Sequence, residues 1–307
     1  MKQLSVVVSL PGKNNYLEEQ ATAAQATAIR LSMNLQIINA RSNPVTQSQQ
    51  LLEIIQSPTA ARPDAIIVEP GNGTGLPRVA EAAVAAGVGW VISNARVDYM
   101  AQLRLDAKAP VFSISQDHRE IGSMQGRQLG ALLPEGGSVL YLRGPGTNYL
   151  AEERAEGLGR AVPRNVHVKA LRIRWTEQNC FQSLTSWLRL GAARAKDIRF
   201  ISCQDTDFIN GAKRAFQGHR DEAERTQLLS IPITAAGVLG STKPLVDQGV
   251  LAAAVLTSLT MDAALEMLRQ ALQGESQPPE HTIVPASLHP SVEEIAEKQT
   301  SGLAPAS

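Results

Sequence analysis

The segment GPGTNY (144–149) has residue types and spacing that suit chemistry. It follows the β-branched run SVLYLR (138–143) and opens a helical pattern. Unpaired backbone N–H groups at such a helix start attract anionic or oxygen-rich ligands. A dinucleotide fingerprint would need a third glycine where Tyr149 stands, and a ribose-binding acid about 20 residues on, in a span that falls near Pro163–Asn165. Such a fold would also open with this unit, not carry it mid-chain. GSTK (240–243) reverses the order a phosphate loop needs, and neither GxxxxGK[ST] nor the nucleophile elbow GxSxG occurs. His118, His167, His219, His281 and His289 fall in no catalytic spacing. Asp117–His118 reads as a helix cap, and Glu152–Glu153 beside Arg154 and Glu156 as a solvated helix face. Cys180 and Cys203 lack zinc-ligand spacing and allow one disulfide or two reduced thiols. The expectation is a chain with no catalytic residue, no metal and no cofactor.

A different constellation stands out. Aromatic residues make up 4% of the chain, yet Tyr16 and Trp175 both fall just beyond strand-like runs. Asn14, Asn15, Asn94, Arg96, Arg154, Gln204 and Asp205 occupy equivalent places, and Thr257 ends another such run. Flat aromatic faces and forked polar side chains suit a pyranose or similar polyol, which offers C–H surface on its faces and hydroxyls on its rim.

The elements that must position these residues alternate. SVVVSL (5–10) precedes a helix with Leu17, Ala21, Ala24, Ala28 and Leu31 on one face. LQIINA (35–40), AIIVEP (65–70), GWVISNA (89–95) and VFSIS (111–115) continue the strand series, with helical patterns after the first two. The pattern restarts with the helix at 118–133, for which Asp117 is the predicted N-cap and Glu120 the predicted capping-box partner. SVLYLR (138–143), VHVKALRI (166–173), IRFISC (198–203), TQLLSIPI (226–233), LAAAVL (251–256) and TIVPASL (282–288) read as further strands. Repeated strand–helix units predict an α/β fold with parallel sheets covered on both faces. Near-equal halves meeting around residue 115 favour two doubly wound lobes, with ligands outside the carboxyl ends of the strands.

Composition narrows the class. The 307 residues carry 29 basic and 29 acidic side chains, a balance unlike that of a nucleic-acid binder. No apolar run approaches the roughly 18 residues of a membrane span, so no membrane insertion is expected. LSVVVSL (4–10) is too short and too alternating for a signal peptide's apolar core. A periplasmic location is expected if an export signal has been removed ahead of Met1, and a cytoplasmic one if Met1 is the native start.

Laid in order, these segments resemble the type I periplasmic binding proteins, particularly the ribose-binding branch, and the effector domains of lac-repressor-type regulators. The similarity spans about residues 4 to 290. It is carried by VVVSLPGKNNYLEEQATAAQATA, PDAIIVEP, GWVISNAR, SISQDHREIGSMQGRQLG, GPGTNYLAEERAEGL, SCQDTDFINGAKRAF and DQGVLAAAV. The resemblance implies two lobes joined by three crossovers: 1–115 with about 258–282, and 116–257 with about 283–295, leaving 296–307 as a loose tail. It implies that Asn15 and Tyr16 form the first ligand loop and that Arg154 is the ligand arginine. Trp175 would stack on the sugar, and Gln204 before Asp205 replaces the usual asparagine of an N-D pair. It implies a sugar-like small molecule as ligand and membrane permease subunits of an ABC-type transporter as partners. A sensory module of the same fold is the second reading, and a nucleotide-using α/β enzyme the third.

Two departures follow. The ribose-binding pattern has an acid–arginine pair where this chain reads Asn94–Ala95–Arg96, and a further acid where ITAAGVLG (233–240) has none. Aldose binders use such acids to accept hydroxyl protons in charge-assisted bonds. Their loss beside Arg96 and Arg154, with Arg143 near, predicts a ligand other than plain ribose: a sugar acid, a phosphorylated sugar or another oxygen-rich molecule. The first strand begins too near the start for a preceding helix-turn-helix, which argues against DNA as a partner.

Overall fold

A computed structural model describes residues 3–301 apart from 60, 72–74, 106, 196 and 275, with the backbone alone over 191–195. The chain starts β1 (Ser5–Leu10), α1 (Asn15–Arg30), β2 (Asn34–Asn39), α2 (Pro44–Gln56), β3 (Ala65–Val68), α3 (Pro77–Ala85), β4 (Gly89–Ser93), α4 (Met100–Leu105) and β5 (Val111–Gln116). It continues α5 (His118–Leu132), β6 (Gly137–Arg143), α6 (Tyr149–Ala161), β7 (Val166–Arg172), α7 (Glu177–Ala195), β8 (Ile198–Cys203) and α8 (Asp207–Gln217). Then come α9 (Glu222–Leu229), β9 (Ile233–Val238), α10 (Leu239–Asp247), β10 (Ala253–Thr257), α11 (Met261–Leu272), β11 (His281–Val284), β12 (Ala286–His289) and α12 (Val292–Thr300).

These elements form two compact units, Met1–Gln116 with Leu259–Val284, and Asp117–Ser258 with Pro285–Ser307. Each holds a six-stranded sheet, in the orders β2-β1-β3-β4-β5-β11 and β7-β6-β8-β9-β10-β12. Among the described residues the strand pairings are parallel except that of β10 with β12, which is antiparallel. Both faces of each sheet are covered, so the strands are nearly continuous apolar runs; β3 and β4 are buried along their whole length. In the first unit Val6, Val8, Ile67, Val91 and Phe112 pack with Ala24 and Ala28 of α1 and Leu265 and Leu268 of α11. In the second, Leu140, Leu142 and Ile201 meet Leu184, Phe208 and Phe216 on one face. Val139, Tyr141 and Phe200 meet Leu129, Leu158 and Ile295 on the other. Each Val, Leu, Ile or Phe among these contributes about 1.5–3 kcal/mol on burial.

Three sequence expectations change. TQLLSIPI (226–233) is not one strand: its first residues close α9, and β9 begins only at Ile233. The decisive local signal is Asp221, whose carboxylate accepts from Glu224 N and nucleates the helix. Strand β9 is instead the small-residue run ITAAGV, which lets Ile121 of α5 close over Ala236. TIVPASL (282–288) is two strands in different sheets, broken at Pro285, which has no N–H for a ladder. Residues 296–300 are not loose. They belong to α12, started by a capping box between Ser291 and Glu294 and held down by Ile295, which is 3% exposed.

Candidate functional site

In a doubly wound sheet the chain reverses direction at a switch point, and the two loops that leave there diverge and open a crevice. The strand orders put that point between β1 and β3 in the first unit and between β6 and β8 in the second. The residues singled out in the sequence gather at the carboxyl ends of these strands and their neighbours. Asn14, Asn15, Tyr16, Asn94 and Arg96 follow β1 and β4; Arg154, Trp175, Gln204, Asp205 and Thr257 belong to the second unit.

In the first unit, Asn14 is the N-cap of α1, its side chain accepting from Leu17 N at 2.9 Å. Asn15 is exposed and Tyr16 half-buried. A buried polar chain fixes Tyr16. Gln20 donates to the Tyr16 hydroxyl and, at 2.9 Å, to Thr260 Oγ1, which lies 2.7 Å from Ser93 Oγ. Asn94 follows β4 in the left-handed region, φ 55°, and is 5% exposed. Its side-chain amide donates to Glu69 Oε1 at 3.1 Å. Arg96, two residues on, is exposed. It lies close enough to His281 to depress that imidazole's pKa, second to burial as a cause.

Glu69 is the site residue that sequence reasoning missed. It stands next to last in AIIVEP, one strand away from the place where the resemblance expects an acid, and it is buried. Burial raises its carboxyl from 4.5 to about 7, against the opposing hydrogen bond from Asn94. The charged residue closing an otherwise apolar strand was the available signal.

In the second unit, helices α5 and α6 touch backbone to backbone. A Cβ on Gly122 would lie 2.0 Å from Arg154 O, and one on Gly157 would lie 1.9 Å from Arg119 O. That approach delivers Arg154 to His118. Arg154 Nε donates to His118 Nδ1 at 3.3 Å and Nη1 to Gln204 O at 2.6 Å. His118 therefore accepts through Nδ1, and its ring also meets Tyr149 edge-on. Asp117 caps α5 through Glu120 N, but the Glu120 carboxylate pairs with Arg127.

Gln204 is a brace. It is 0% exposed; its Oε1 accepts from Gly144 N at 2.8 Å, and its Nε2 donates to Tyr141 OH and Ala151 O. These bonds hold the GPGTN turn to β8 from within and place Gln204's side chain inside the unit. Asp205 Oδ1 accepts from Asp207 N at 2.8 Å and starts α8. Thr257 is buried at the end of β10 and donates to Gly237 O at 3.1 Å. Trp175 is half-buried, with one face stacked on Phe208. Arg143 is buried and paired with Glu152 at 2.6 Å, so its charge is already matched.

Cys180 and Cys203 are free and buried, and burial raises both thiols. Among the described residues no cluster of His, Cys, Asp or Glu could hold a metal ion, and no helix is long and apolar enough to cross a membrane.

Two six-stranded doubly wound sheets, each with polar loops at its switch point, define a two-lobe α/β protein of the solute-binding kind. The chain matches the family model of the periplasmic binding protein domain over residues 6–276 and belongs to that family. No curated protein matches it by sequence. Solved structures share the fold. A galactofuranose binding protein is 17% identical, with a TM-score of 0.77, covering 97% of this chain and 99% of its own. An ABC transporter periplasmic solute-binding protein from Actinobacillus succinogenes, with bound D-allose, is 18% identical at a TM-score of 0.76, covering 96% and 100%. The fructose-binding periplasmic domain of a hybrid two-component system is 17% identical at 0.72, covering 97% and 95%.

Proposed function

We propose that this protein captures a carbohydrate-like small molecule with the switch-point loops of both units and delivers it to an ABC-type transporter in the periplasm. The observation that carries the reading is the gathering of Asn15, Tyr16, Asn94 and Arg96 on one sheet and Arg154 and Asp205 on the other, in a chain of the periplasmic binding family. Capture needs no bond to be made or broken, and the protein is a binder and not an enzyme. The family resemblance supplies the hinge: three chain crossings, near 116, 258 and 284, let one unit close over a ligand held by the other.

The ligand is an oxygen-rich molecule other than plain ribose, with sugar acids and phosphorylated sugars the leading classes. Arg96 and Arg154 favour an anionic group. Gly144 N already donates to Gln204 and Asn148 N to Pro145 O, which supports the GPGTN turn as a shaped wall. A sensory role is the second reading, favoured by the likeness to the fructose-binding domain of a two-component system.

A thermal-shift screen against pentoses, hexoses, sugar acids, sugar phosphates, polyols and nucleotides tests this. A ligand at ~1,000 times its Kd stabilises by about 4 kcal/mol, roughly several degrees in Tm. A response to sugar acids or sugar phosphates is expected. Tight, selective binding of a neutral pentose would falsify the anionic assignment, and a response to nucleotides alone would overturn the carbohydrate reading.

A further inference from the structure

Arg143 and Arg172 close neighbouring strands and are partners in the β6–β7 pairing. Strand alternation puts Arg143 on the face of Val139 and Tyr141, which packs against Leu158 of α6. Arg172, its register partner, is on the same face. Glu152 of α6 meets them there, its Oε1 2.6 Å from Arg143 Nη2. A Cβ on Gly146, in the GPGTN turn, would lie 3.2 Å from both Glu152 Oε1 and Arg172 Nε. Two guanidinium groups and one carboxylate thus converge beside this turn. Arg154 of the same helix turns elsewhere, to His118 and the Gln204 carbonyl.

The charges of this cluster do not balance. Glu152 matches Arg143 and leaves Arg172 over. Arg172 is exposed and, among the described residues, has no hydrogen-bond partner. Arg143 is buried, its side chain 10% exposed, and its Nε has no hydrogen-bond partner. A buried donor left unused calls for a partner that the chain itself does not supply. Glu152 is the movable member: its side chain is 47% exposed and can turn into solvent by a change of rotamer. Arg143 holds its carboxyl below the usual carboxylate range, and the charge of Arg172 adds to this.

Guanidinium forks match the paired oxygens of carboxylates and phosphates. A phosphate offers two forks more charge and more acceptor oxygens than one carboxylate does. We propose that Arg143 and Arg172 form a phosphate-binding site beside the GPGTN turn, in which Glu152 is a resident anion that the incoming phosphate displaces. Side-chain forks do the binding; within the turn Gly144 N and Asn148 N are already bonded to Gln204 and Pro145 O. The proposal goes beyond the solute-binding reading, and inorganic phosphate, which carries no sugar, tests it independently.

Calorimetric titration with inorganic phosphate at constant ionic strength compares the parent with Glu152→Gln, Arg172→Gln and Arg172→Lys. One saturable site is expected in the parent. Glu152→Gln, which removes the competing anion, should bind at least about tenfold more tightly. Both Arg172 variants should bind at least about tenfold more weakly, the lysine because a point charge lacks the fork. Equal affinity in all four proteins, or no saturable binding by the parent, overturns the proposal. So does full affinity in Arg172→Lys, the behaviour of a diffuse positive surface. Arg172 is exposed, so its variants should keep the parent's unfolding midpoint, and they decide the matter if Glu152→Gln does not fold. D-glucose 6-phosphate in the same series separates two sources of the group. Equal sensitivity to Arg172 assigns a phosphoryl group carried on a sugar, and a response to inorganic phosphate alone assigns the free ion.

Discussion

Trp175 and Phe208 stack with their planes 2° apart and ring centroids 5.6 Å apart. The GPGTN turn also confines the indole: a Cβ on Gly144 would sit 2.1 Å from Trp175 Cζ2. The first glycine of the turn is thus required by a close approach of an aromatic ring. Gly144→Ala should push Trp175 off Phe208 and cost about 1–3 kcal/mol, the range for overpacking a filled site. Urea unfolding and the indole emission spectrum would show it. An unchanged midpoint would mean that Trp175 is free to move.

Gln204 separates a structural role from a ligand role. Replacing it with Leu removes the partners of Gly144 N, Tyr141 OH and Ala151 O. Ala151 O keeps its helical partner in α6, but leaving Gly144 N and Tyr141 OH unpaired costs about 1–3 kcal/mol each, with partial relief from water. The expected outcome is a large fall in the denaturation midpoint. A variant that keeps its midpoint and loses only ligand affinity would return Gln204 to the binding surface.

Burial of Glu69 makes stability depend on pH with a defined sign. Its folded pKa, about 7, lies above the ordinary 4.5, so the folded state holds this proton more tightly. The contribution is complete below 4.5 and is lost as pH rises toward 7, a span worth about 3 kcal/mol. Glu69→Gln removes the penalty. Relative to the parent it should gain stability at about pH 8 and not at about pH 5. Equal differences at both values would show that the carboxyl is not held in its buried place.

Arg154 is tethered by His118 and by the carbonyl of Gln204, a geometry that a lysine cannot copy because both bonds come from one planar fork. With a ligand from the thermal-shift screen, Arg154→Ala should weaken binding at least about tenfold, and Arg154→Lys should not restore it. Calorimetric titration measures this. Full affinity in the lysine variant would mean that charge alone matters there.

By itself the sequence determined the alternation of strands and helices, and with it the parallel sheets. Apolar runs flanked by 3.6-periodic stripes such as Leu17, Ala24 and Ala28 have few other ways to be buried. It also located the strand ends beyond which Tyr16, Asn94 and Arg154 lie, the first and last on the helices that follow, because in such sheets polar residues beyond strand ends gather on one side. Local rules failed where a neighbour decided. ITAAGV is a poor strand by its own propensity and becomes β9 because it lies beneath α5, while Pro285 divides one apolar run between two sheets. The roles within the site were likewise tertiary. Gln204 looked like a ligand group and Glu69 like the end of a strand. Their burial turned the first into a brace and the second into a proton-binding neighbour of Asn94. A hydrogen-bonding side chain has the same chemistry in either role, and only the solvent and partners around it decide which role it takes.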